Sequence, residues 1–310
     1  MHQLSGPQRD RLRLDRASVR RGFERAAAGF DAAAALHREV AARMAERLGV
    51  VRIAPTAILD AGCGTGEALG ELAARYPEVQ PVGVDFAYAM AGAARARAFA
   101  RPADERSLER LTGSRLAAAQ PWLICGDILR LPLRARSVGL VWSNLALQWI
   151  DDPALAFVEF HRVLTTGGLL SFTTLGPDTL RELRSAFARV DSEVHVHRFI
   201  DMHDLGDMLL DAGFADPVMD MEILTLTYAD SPSLMRELKA LGAGNAAAGR
   251  RRGLTGARRW ARALAALESF RVNGRLPASF EIVYGHAWKP EPRVAADGRA
   301  IVRFGRPALR

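Results

Sequence analysis

The sequence predicts an α/β fold in which a mostly parallel, seven-stranded sheet ends in an antiparallel last strand. The first reason is that short apolar runs, typical of strands, alternate with helical patterns over residues 57–174. Such alternation indicates a parallel sheet that helices cover on both faces. The second reason is a change of order beyond Pro177, where helices accompany a late pair of strands that suits an antiparallel sheet end.

The predicted elements follow one another without an internal repeat. Residues 19–48 have the spacing of helices, because Phe23, Ala27 and Phe30 fall on one face. Strands are predicted at 57–61, 79–84, 122–125, 138–143, 168–174, 218–228 and 280–286. Helices are predicted at 67–75, 153–164, 179–190, 202–212, 231–242 and 258–270, with an Ala-rich helix after the second strand and a charged helix-loop excursion at 101–120.

This order predicts four segments. They are a helical N-terminal extension at 1–50, a Rossmann-like ligand-binding core at 51–176, lid helices with the last strands of the same sheet at 177–289, and a basic tail at 290–310 that we expect to be disordered. A chain of 310 residues, of which 49% are hydrophobic, can bury one large core with such a lid.

Composition narrows the class of protein. The first residues lack an apolar signal region, and the longest uncharged stretch, 137–150, is too short to span a bilayer, so we expect a cytoplasmic protein with no membrane partner. The two cysteines, Cys63 and Cys125, form no disulfide framework. The net charge of +7 favours an acidic partner, although the tail from Lys289 onward supplies more than half of it.

A glycine-rich turn gives the strongest signal for a ligand site. It follows the first strand and opens a helix, with Asp60, Gly62, Gly64 and Gly66 in the pattern Asp-x-Gly-x-Gly-x-Gly. Open α/β sheets bind ligands at such strand ends, and glycine lets a ligand approach the backbone closely. The dinucleotide pattern Gly-x-Gly-x-x-Gly does not fit, because Glu67 stands where its third glycine would be.

Polar residues also end the next three strands. The second ends in Asp85, placed to accept both hydroxyls of a ribose; Asp127 follows the third and Asn144 the fourth. Each carboxylate has an alternative role as a helix N-cap, but the ordered series favours a ligand site. The candidate cofactor-binding residues are Asp60, Gly62, Gly64, Gly66, Asp85, Phe86, Met90, Asp127, Ile128, Asn144 and Leu145. A nicotinamide enzyme is the main rival interpretation.

These motifs resemble the class I methyltransferase superfamily, which implies S-adenosylmethionine as the cofactor. Later stretches are similar to the malonyl-acyl-carrier-protein O-methyltransferase family of biotin synthesis. They lie at 143–149, 172–183, 198–204, 238–243 and 283–288, with a helical start at 23–31, and the resemblance spans roughly 19–289. Two features depart from it: the excursion at 101–120 is longer than expected, and Phe30 stands where many relatives carry Tyr.

The resemblance implies methyl transfer to the free carboxylate of a malonyl thioester, carried by acyl carrier protein or by coenzyme A. A carboxylate is already ionised near pH 7, so no catalytic base is required. We expect an arginine of the lid, namely Arg181, Arg184 or Arg198, to pair with this carboxylate. Trp149 is a candidate for the acceptor pocket, although a core position is an equal alternative.

A basic stretch is the candidate docking surface for the acidic carrier protein. It contains Arg250, Arg251, Arg252, Arg258 and Arg259 with no acidic residue between them. A solvated loop is the plainer alternative. No nucleic-acid partner is expected, because interleaved aromatic residues and binding motifs are missing.

Three alternatives remain at the level of sequence. His195, His197 and His203 could suggest a metal, but the spacing lacks further ligands and we expect no metal site. A methyltransferase-like assembly factor or modifier of a respiratory complex subunit resembles the chain around 178–184 and in the closing strand. A small-molecule methyltransferase of the ubiquinone type is the third alternative.

Overall fold

The computed structural model describes residues 12–99, 120–251, 253 and 255–292. Within the described residues, the N-terminal part contains α1 (Arg16–Ala26), α2 (Phe30–Ala33) and α3 (Ala35–Gly49). The core then alternates β1 (Ile58–Ala61), α4 (Glu67–Arg75), β2 (Pro81–Asp85), α5 (Tyr88–Phe99), β3 (Trp122–Cys125), β4 (Val138–Ser143), α6 (Pro153–Val163) and β5 (Leu164–Leu175). The last part contains α7 (Arg181–Ala188), α8 (Met202–Asp211), β6 (Ala215–Tyr228), α9 (Ser231–Ala240), α10 (Ala257–Glu268) and β7 (Leu276–Trp288).

All seven strands form one sheet in the order β3-β2-β1-β4-β5-β7-β6. The pairs among the first five strands are parallel, whereas β7 is antiparallel to both β5 and β6. The predicted fold class is therefore confirmed. The strand order reverses beside β1, so the carboxyl ends of β1 and β4 open the crevice where this kind of sheet binds ligands.

The last strands are longer than predicted. Residues 280–286 were expected for the closing strand, whereas β7 spans 13 residues; it pairs with β6 from Leu276 to Trp288 and with β5 from Ile282 to Trp288. The reason is that the long strand β6 pairs with residues 276–281 of β7, which extends β7 before the point where it reaches β5. In β6, at the sheet edge, exposed and half-buried side chains alternate along the strand.

Apolar helices cover both faces of the sheet. On one face, Leu36, Val40 and Met44 of α3 belong to a buried cluster with residues of β4 and β7. On the other face, Phe157 and Phe160 of α6 pack into a second cluster with residues of β1, β4 and β5. This arrangement fixes the carboxyl ends of the strands relative to the N-terminal helices.

The stretch after β5 is anchored to β7 by buried carboxylates. Glu182 accepts hydrogen bonds from the Ser279 amide at 3.0 Å and from the Ser279 hydroxyl at 2.6 Å. Glu281 accepts one from the Asp178 amide at 2.6 Å. Glu182 of α7 and Glu281 of β7 therefore hold the start of α7 against the sheet.

Three sequence predictions lie wholly or largely outside the described residues. The excursion at 101–120 does so apart from Gln120, the tail does so from residue 293 onward, and Arg252 of the basic stretch is also outside them. Within the described part of the chain, no helix combines the length and apolar character needed to cross a membrane. The division into four segments stays a prediction.

Candidate active site

The backbone of the turn after β1 borders an open cavity. Gly62, Gly64 and Gly66 all adopt positive φ, at 83°, 52° and 78°. The amides of Gly62 and Cys63 both donate to the carbonyl of Val84, which ties the turn to the end of β2. A Cβ on Gly64 would meet no protein atom within 4 Å, so this position faces a cavity. The turn thus leaves room for a ligand at its second glycine.

Gly66 has a different role from the other two glycines. A Cβ there would lie 2.8 Å from the Cβ of Ala94 on α5. Gly66 also precedes α4 in a left-handed conformation and does not line the cavity. The absence of a side chain at Gly66 therefore allows α4 and α5 to pack closely. Gly66 was predicted to bind the cofactor, but it could affect binding only through this packing.

Asp85 holds the turn from the end of β2. Its carboxylate accepts hydrogen bonds from the Gly64 amide at 3.0 Å and from the Ala87 amide at 2.8 Å. Burial raises the pKa of Asp85 from 3.8 to about 6, although these two N–H donors act in the opposite direction. The carboxylate thus combines a fixed position with a proton affinity near neutral pH.

Asp60 is a second buried carboxylate at the carboxyl end of β1. It retains 2% of its accessible surface and lines the same cavity. Burial, and then the negative charge of Asp85, raise the pKa of Asp60 to about 8. The two carboxylates therefore favour a cation in the cavity, because a positive ligand would offset the cost of ionising them.

The cavity has about 1050 Å³ of empty space. It brings together every predicted cofactor residue except Gly66, namely Asp60, Gly62, Gly64, Asp85, Phe86, Met90, Asp127, Ile128, Asn144 and Leu145. Trp149 lines it as well. The sequence analysis missed the contribution of the N-terminal helices, which add Arg16, Val19, Phe23, Phe30, His37 and Ala41. Their apolar spacing predicted the helices but not their contact with this cavity.

The N-terminal helices form a roof over this cavity, held by ion pairs and helix caps. Arg16 lies 2.5 Å from the carboxylate of Asp127. Glu24 accepts hydrogen bonds from the first amides of α5, those of Tyr88 and Ala89, at 2.7 and 2.8 Å. Thus α1 is fastened to both β3 and α5.

Asp31 fastens the next part of the roof. It accepts a hydrogen bond from the hydroxyl of Thr65 at 2.6 Å and pairs with Arg97. Thr65 belongs to the glycine-rich turn and Arg97 to α5. The roof is therefore tied directly to the turn that faces the cavity.

Aromatic side chains form one wall. Phe23 contacts Phe86 and Trp149 with ring centroids 6.2 and 5.2 Å apart, and Trp149 contacts His197 at 5.3 Å, all edge to face. His197 accepts a hydrogen bond from the amide of Ala246 at 3.2 Å, and burial lowers its pKa to about 4. The wall is therefore uncharged near pH 7, so it does not repel a sulfonium cation, which aromatic rings can attract.

A second cavity lies beside this wall. It has about 1190 Å³ of empty space and shares Ile150 with the first cavity. Arg198 lines it together with Gln148, Thr174 and Phe199. Ile150 therefore separates the two cavities, and Trp149 lies on the side of the first one.

The three candidate arginines are placed differently. Arg198 is exposed and lines the second cavity, whereas Arg181 and Arg184 line neither cavity. Arg184 donates to the carbonyls of Pro177 and Thr179 at 2.8 and 3.0 Å. Arg181 lies 3.5 Å from a carboxylate oxygen of Glu182. The geometry thus favours Arg198 for binding an acceptor.

Members of the basic stretch also differ in their contacts. Arg250 pairs with Asp15 at 3.0 Å, and Arg259 lies 3.8 Å from Asp191. Arg251 and Arg258 are exposed. Asp15 and Asp191 therefore offset part of the positive charge of this stretch.

The histidine cluster has other roles. His195 stacks on Phe187 at 4.0 Å and lies 2.7 Å from Asp191, and His203 lies 2.8 Å from Asp201. Among the described residues, no group of His, Cys, Asp and Glu side chains is arranged to hold a metal ion.

The chemistry of the first cavity fits the parts of S-adenosylmethionine. The space under the Gly64 backbone, the paired buried carboxylates and the aromatic wall suit an amino-acid end, a ribose and a sulfonium, respectively. Asp127 and Ile128 line the side of the cavity that lies beyond β2 and suit a nucleobase.

Comparisons with known proteins agree with this geometry. A family profile described as "Methyltransferase domain" matches residues 59–172. The solved YcgJ protein from Bacillus subtilis superimposes with a TM-score of 0.53 at 17% identity, covering 80% of this chain and 98% of that one. Fold, cavity and profile together define an S-adenosylmethionine-dependent methyltransferase.

Curated relatives identify the family. The malonyl-[acyl-carrier protein] O-methyltransferase of Laribacter hongkongensis is 52% identical over 94% of this chain and 96% of its own length. The enzyme of the same name from Gallionella capsiferriformans is 50% identical, with the same two coverages. The chain therefore belongs to the malonyl-[acyl-carrier protein] O-methyltransferase family.

Cofactor affinity should depend on Gly64 and Asp85. In Gly64→Val the new side chain fills the cavity, and in Asp85→Ala the acceptor of the ribose hydroxyls is lost. Each such charge-assisted hydrogen bond contributes about 1.5–3 kcal/mol, so we expect calorimetry to show a loss of about a hundredfold or more for Asp85→Ala. Gly70→Val, on the exposed side of α4, is the matched control and should keep wild-type affinity. Unchanged affinity in Gly64→Val and Asp85→Ala would refute the site.

Cofactor affinity should also rise with pH between 5 and 7. The pKa of Asp85 is raised to about 6 in the free protein, so below this value a proton must leave before a cationic ligand gains an anionic partner. One such group gives about a tenfold rise across these two pH units, while the amino group of the cofactor stays protonated. The pH profile of the dissociation constant should be less steep in Asp85→Asn, in which Asp60 is the one remaining buried carboxylate of the pair. A wild-type profile as flat as that of the variant would contradict the assignment.

The same raised pKa has a consequence for the ligand-free protein. A carboxyl group that is more basic in the folded than in the unfolded state stabilises the fold fully below its unfolded pKa. That contribution is lost as pH rises through the folded value, here about 6 for Asp85. Thermal unfolding at pH 7.5 should therefore occur at a higher temperature in ligand-free Asp85→Asn than in the wild type.

Proposed function

We propose that this protein transfers the methyl group of S-adenosylmethionine to the free carboxylate of malonyl-acyl carrier protein, giving the methyl ester that starts chain synthesis for biotin. The observation that carries the proposal is the identity of about half of all residues, over nearly the whole chain, with enzymes named for this reaction. The cofactor residues proposed above supply the binding site for the methyl donor.

The second cavity supports an acidic, extended acceptor. A malonyl group that enters past Arg198 lies next to Ile150, which also lines the first cavity, so a small shift of this side chain would let it reach the methyl donor. An arginine can bind a carboxylate with two parallel hydrogen bonds, which orients it as well as holding it. We assign this role to Arg198 because Arg181 and Arg184 have protein partners and line neither cavity.

The reaction requires positioning more than proton transfer. The bound cofactor supplies a methyl group on a positively charged sulfur. The acceptor carboxylate is already ionised near pH 7, so the protein must hold one of its oxygens in line with that methyl group. Phe23 and Trp149 would exclude water from this region, and the low pKa of His197 keeps the adjacent wall uncharged.

The carrier of the malonyl group and the compartment belong to the same proposal. We propose malonyl-acyl carrier protein as the preferred acceptor and malonyl-coenzyme A as a weaker one, because an acidic protein can contact the basic surface described below over a larger area than the phosphates of coenzyme A can. The cytoplasm stays the predicted compartment, and fractionation of cells that express a tagged chain would check it.

Complementation tests the proposed function most directly. A biotin auxotroph that lacks this methylation step should grow without biotin when it expresses the wild-type chain. The Asp85→Ala variant, expressed at the same level, should not restore growth. Failure of the wild-type chain to complement, combined with normal binding of S-adenosylmethionine, would favour the assembly-factor or the small-molecule methyltransferase alternative.

Removing the Arg198 side chain should weaken use of the acceptor selectively. With malonyl-acyl carrier protein we expect Arg198→Ala to lower kcat/KM about tenfold or more, because a charge-assisted pair to the carboxylate is lost. Binding of S-adenosylmethionine should stay at the wild-type level. Arg181→Ala, which removes an exposed arginine from the neighbouring helix, is the matched control. Equal kcat/KM values in wild type and Arg198→Ala would exclude Arg198 as the carboxylate ligand.

The basic stretch begins beside the mouth of the second cavity. Arg13 and Leu14 line this cavity. The carbonyl of Arg13 accepts a hydrogen bond from the Ala248 amide at 2.6 Å, and the Asp15 amide donates to the Ala246 carbonyl at 2.7 Å. These contacts place the segment before Arg250 directly against the cavity rim. A carrier protein drawn to this surface would present its acyl group near Arg198.

Charge reversal at Arg251 and Arg258 should raise KM for malonyl-acyl carrier protein. An acidic partner is steered by fixed positive charge, and the effect should shrink with salt because the Debye length falls from about 10 Å at 0.1 M to about 3 Å at 1 M. Turnover of malonyl-coenzyme A should change little. Charge reversal at Arg52 and Arg134 is the control. Both residues are exposed and precede β1 and β4, at the amino-terminal ends of the strands and so away from the cavities. Equal losses with both acceptors would place docking elsewhere.

A further inference from the structure

The side of the first cavity under α3 suits the amino-acid end of the cofactor. The strand order puts β2 and β3 on one side of β1 and β4 on the other. Asp85 and Asp127 follow β2 and β3, so the nucleoside occupies that side. Asn144 follows β4, and its side-chain amide donates to the backbone carbonyl of His37 at 3.0 Å. His37 therefore lies where the amino and carboxylate groups of the cofactor end.

Few side-chain hydrogen-bond donors are free to bind the cofactor carboxylate at the α3 side of the cavity. Among the described residues that line the cavity, Arg16 is the one lysine or arginine, and it pairs with Asp127 on the nucleoside side. Thr65 already donates its hydroxyl to Asp31 at 2.6 Å. The side-chain amide of Asn144 contacts the carbonyl of His37 and the hydroxyl of Thr173. A further side-chain donor is needed if the carboxylate is to be neutralised here.

His37 has the chemistry of that donor. Its ring packs edge to face against Phe30 at 5.1 Å, and the accessible part of the side chain lines the cavity. Its Nδ1 atom is buried without a hydrogen-bond partner. Burial and the nearby Arg38 lower the pKa of His37 to about 4, so the ring carries a single proton near pH 7. A proton on Nδ1 would leave a buried N–H without an acceptor, which favours Nε2 as the protonated atom.

We propose that the Nε2–H group of His37 donates a hydrogen bond to the α-carboxylate of S-adenosylmethionine and so positions the amino-acid end of the cofactor. The interaction is charge-assisted, because a neutral donor meets an ionised acceptor in a partly desolvated site. The adjacent Phe30 has no hydroxyl to offer, so the imidazole is the polar group that this part of the roof presents. The proposal rests on the assigned cofactor and not on the identity of the acceptor.

The test compares two cofactors that differ by one group. Calorimetry measures binding of S-adenosylmethionine and of its decarboxylated analogue, which keeps the sulfonium and the amino group, to wild type, His37→Leu and His37→Gln. We expect His37→Leu to bind S-adenosylmethionine about tenfold or more weakly and the decarboxylated analogue within about twofold of wild type. His37→Gln, which restores an N–H donor, should recover most of the lost affinity.

A second measurement needs no variant and so does not depend on variant folding. With 15N-labelled histidine, the wild-type Nε2 resonance of His37 should shift on binding S-adenosylmethionine and shift much less on binding the decarboxylated analogue. Equal weakening of both ligands in His37→Leu, or equal resonance shifts, would overturn the proposal and leave His37 as a packing residue. Because both measurements report cofactor binding alone, a negative result would leave the proposed acceptor untouched.

Discussion

The hydrogen bond from the Gly64 amide to the Asp85 carboxylate, 3.0 Å long, joins the ends of β1 and β2, on which the first cavity is built. The carbonyl of Val84, one residue earlier, receives the amides of Gly62 and Cys63. The turn therefore follows the end of β2 closely, and positive φ at its glycines lets the backbone do so without a steric conflict. A side chain at Gly64 would occupy space that this arrangement keeps open.

Burial gives the same interaction a chemical role. A carboxylate taken out of water needs donors, and Asp85 finds them in the amides of Gly64 and Ala87. Its raised pKa shows that these donors do not compensate fully for desolvation. The Asp85 side chain is therefore held in place before a ligand arrives, whereas its full ionisation is favoured when a cationic ligand binds. Position and protonation are coupled through one side chain.

The sequence predicted the sheet well because its strands are short, apolar and punctuated by polar residues at their carboxyl ends. Of the eleven cofactor candidates chosen from the residues at and near these strand ends, ten line the cavity. The exception, Gly66, packs against Ala94. Contacts between residues that are far apart in the chain were harder to predict. The contacts of Arg16 with Asp127 and of Arg250 with Asp15 join residues far apart in the chain, and no local pattern reveals such pairs. The roof was missed because an apolar helix face looks the same whether it covers a core or a cavity.

The position of β7 constrains how the chain can reach this structure. This strand comes last in the described sequence, yet it lies between β5 and β6 and supplies the pairing partner of β6. During synthesis, β6 must therefore wait with unpaired backbone groups, beside Val218, Met221 and Ile223, which are exposed in the folded protein as well. Sheet closure is a late event of high contact order, so the nascent chain passes through a stage that is prone to aggregation and that a chaperone would protect.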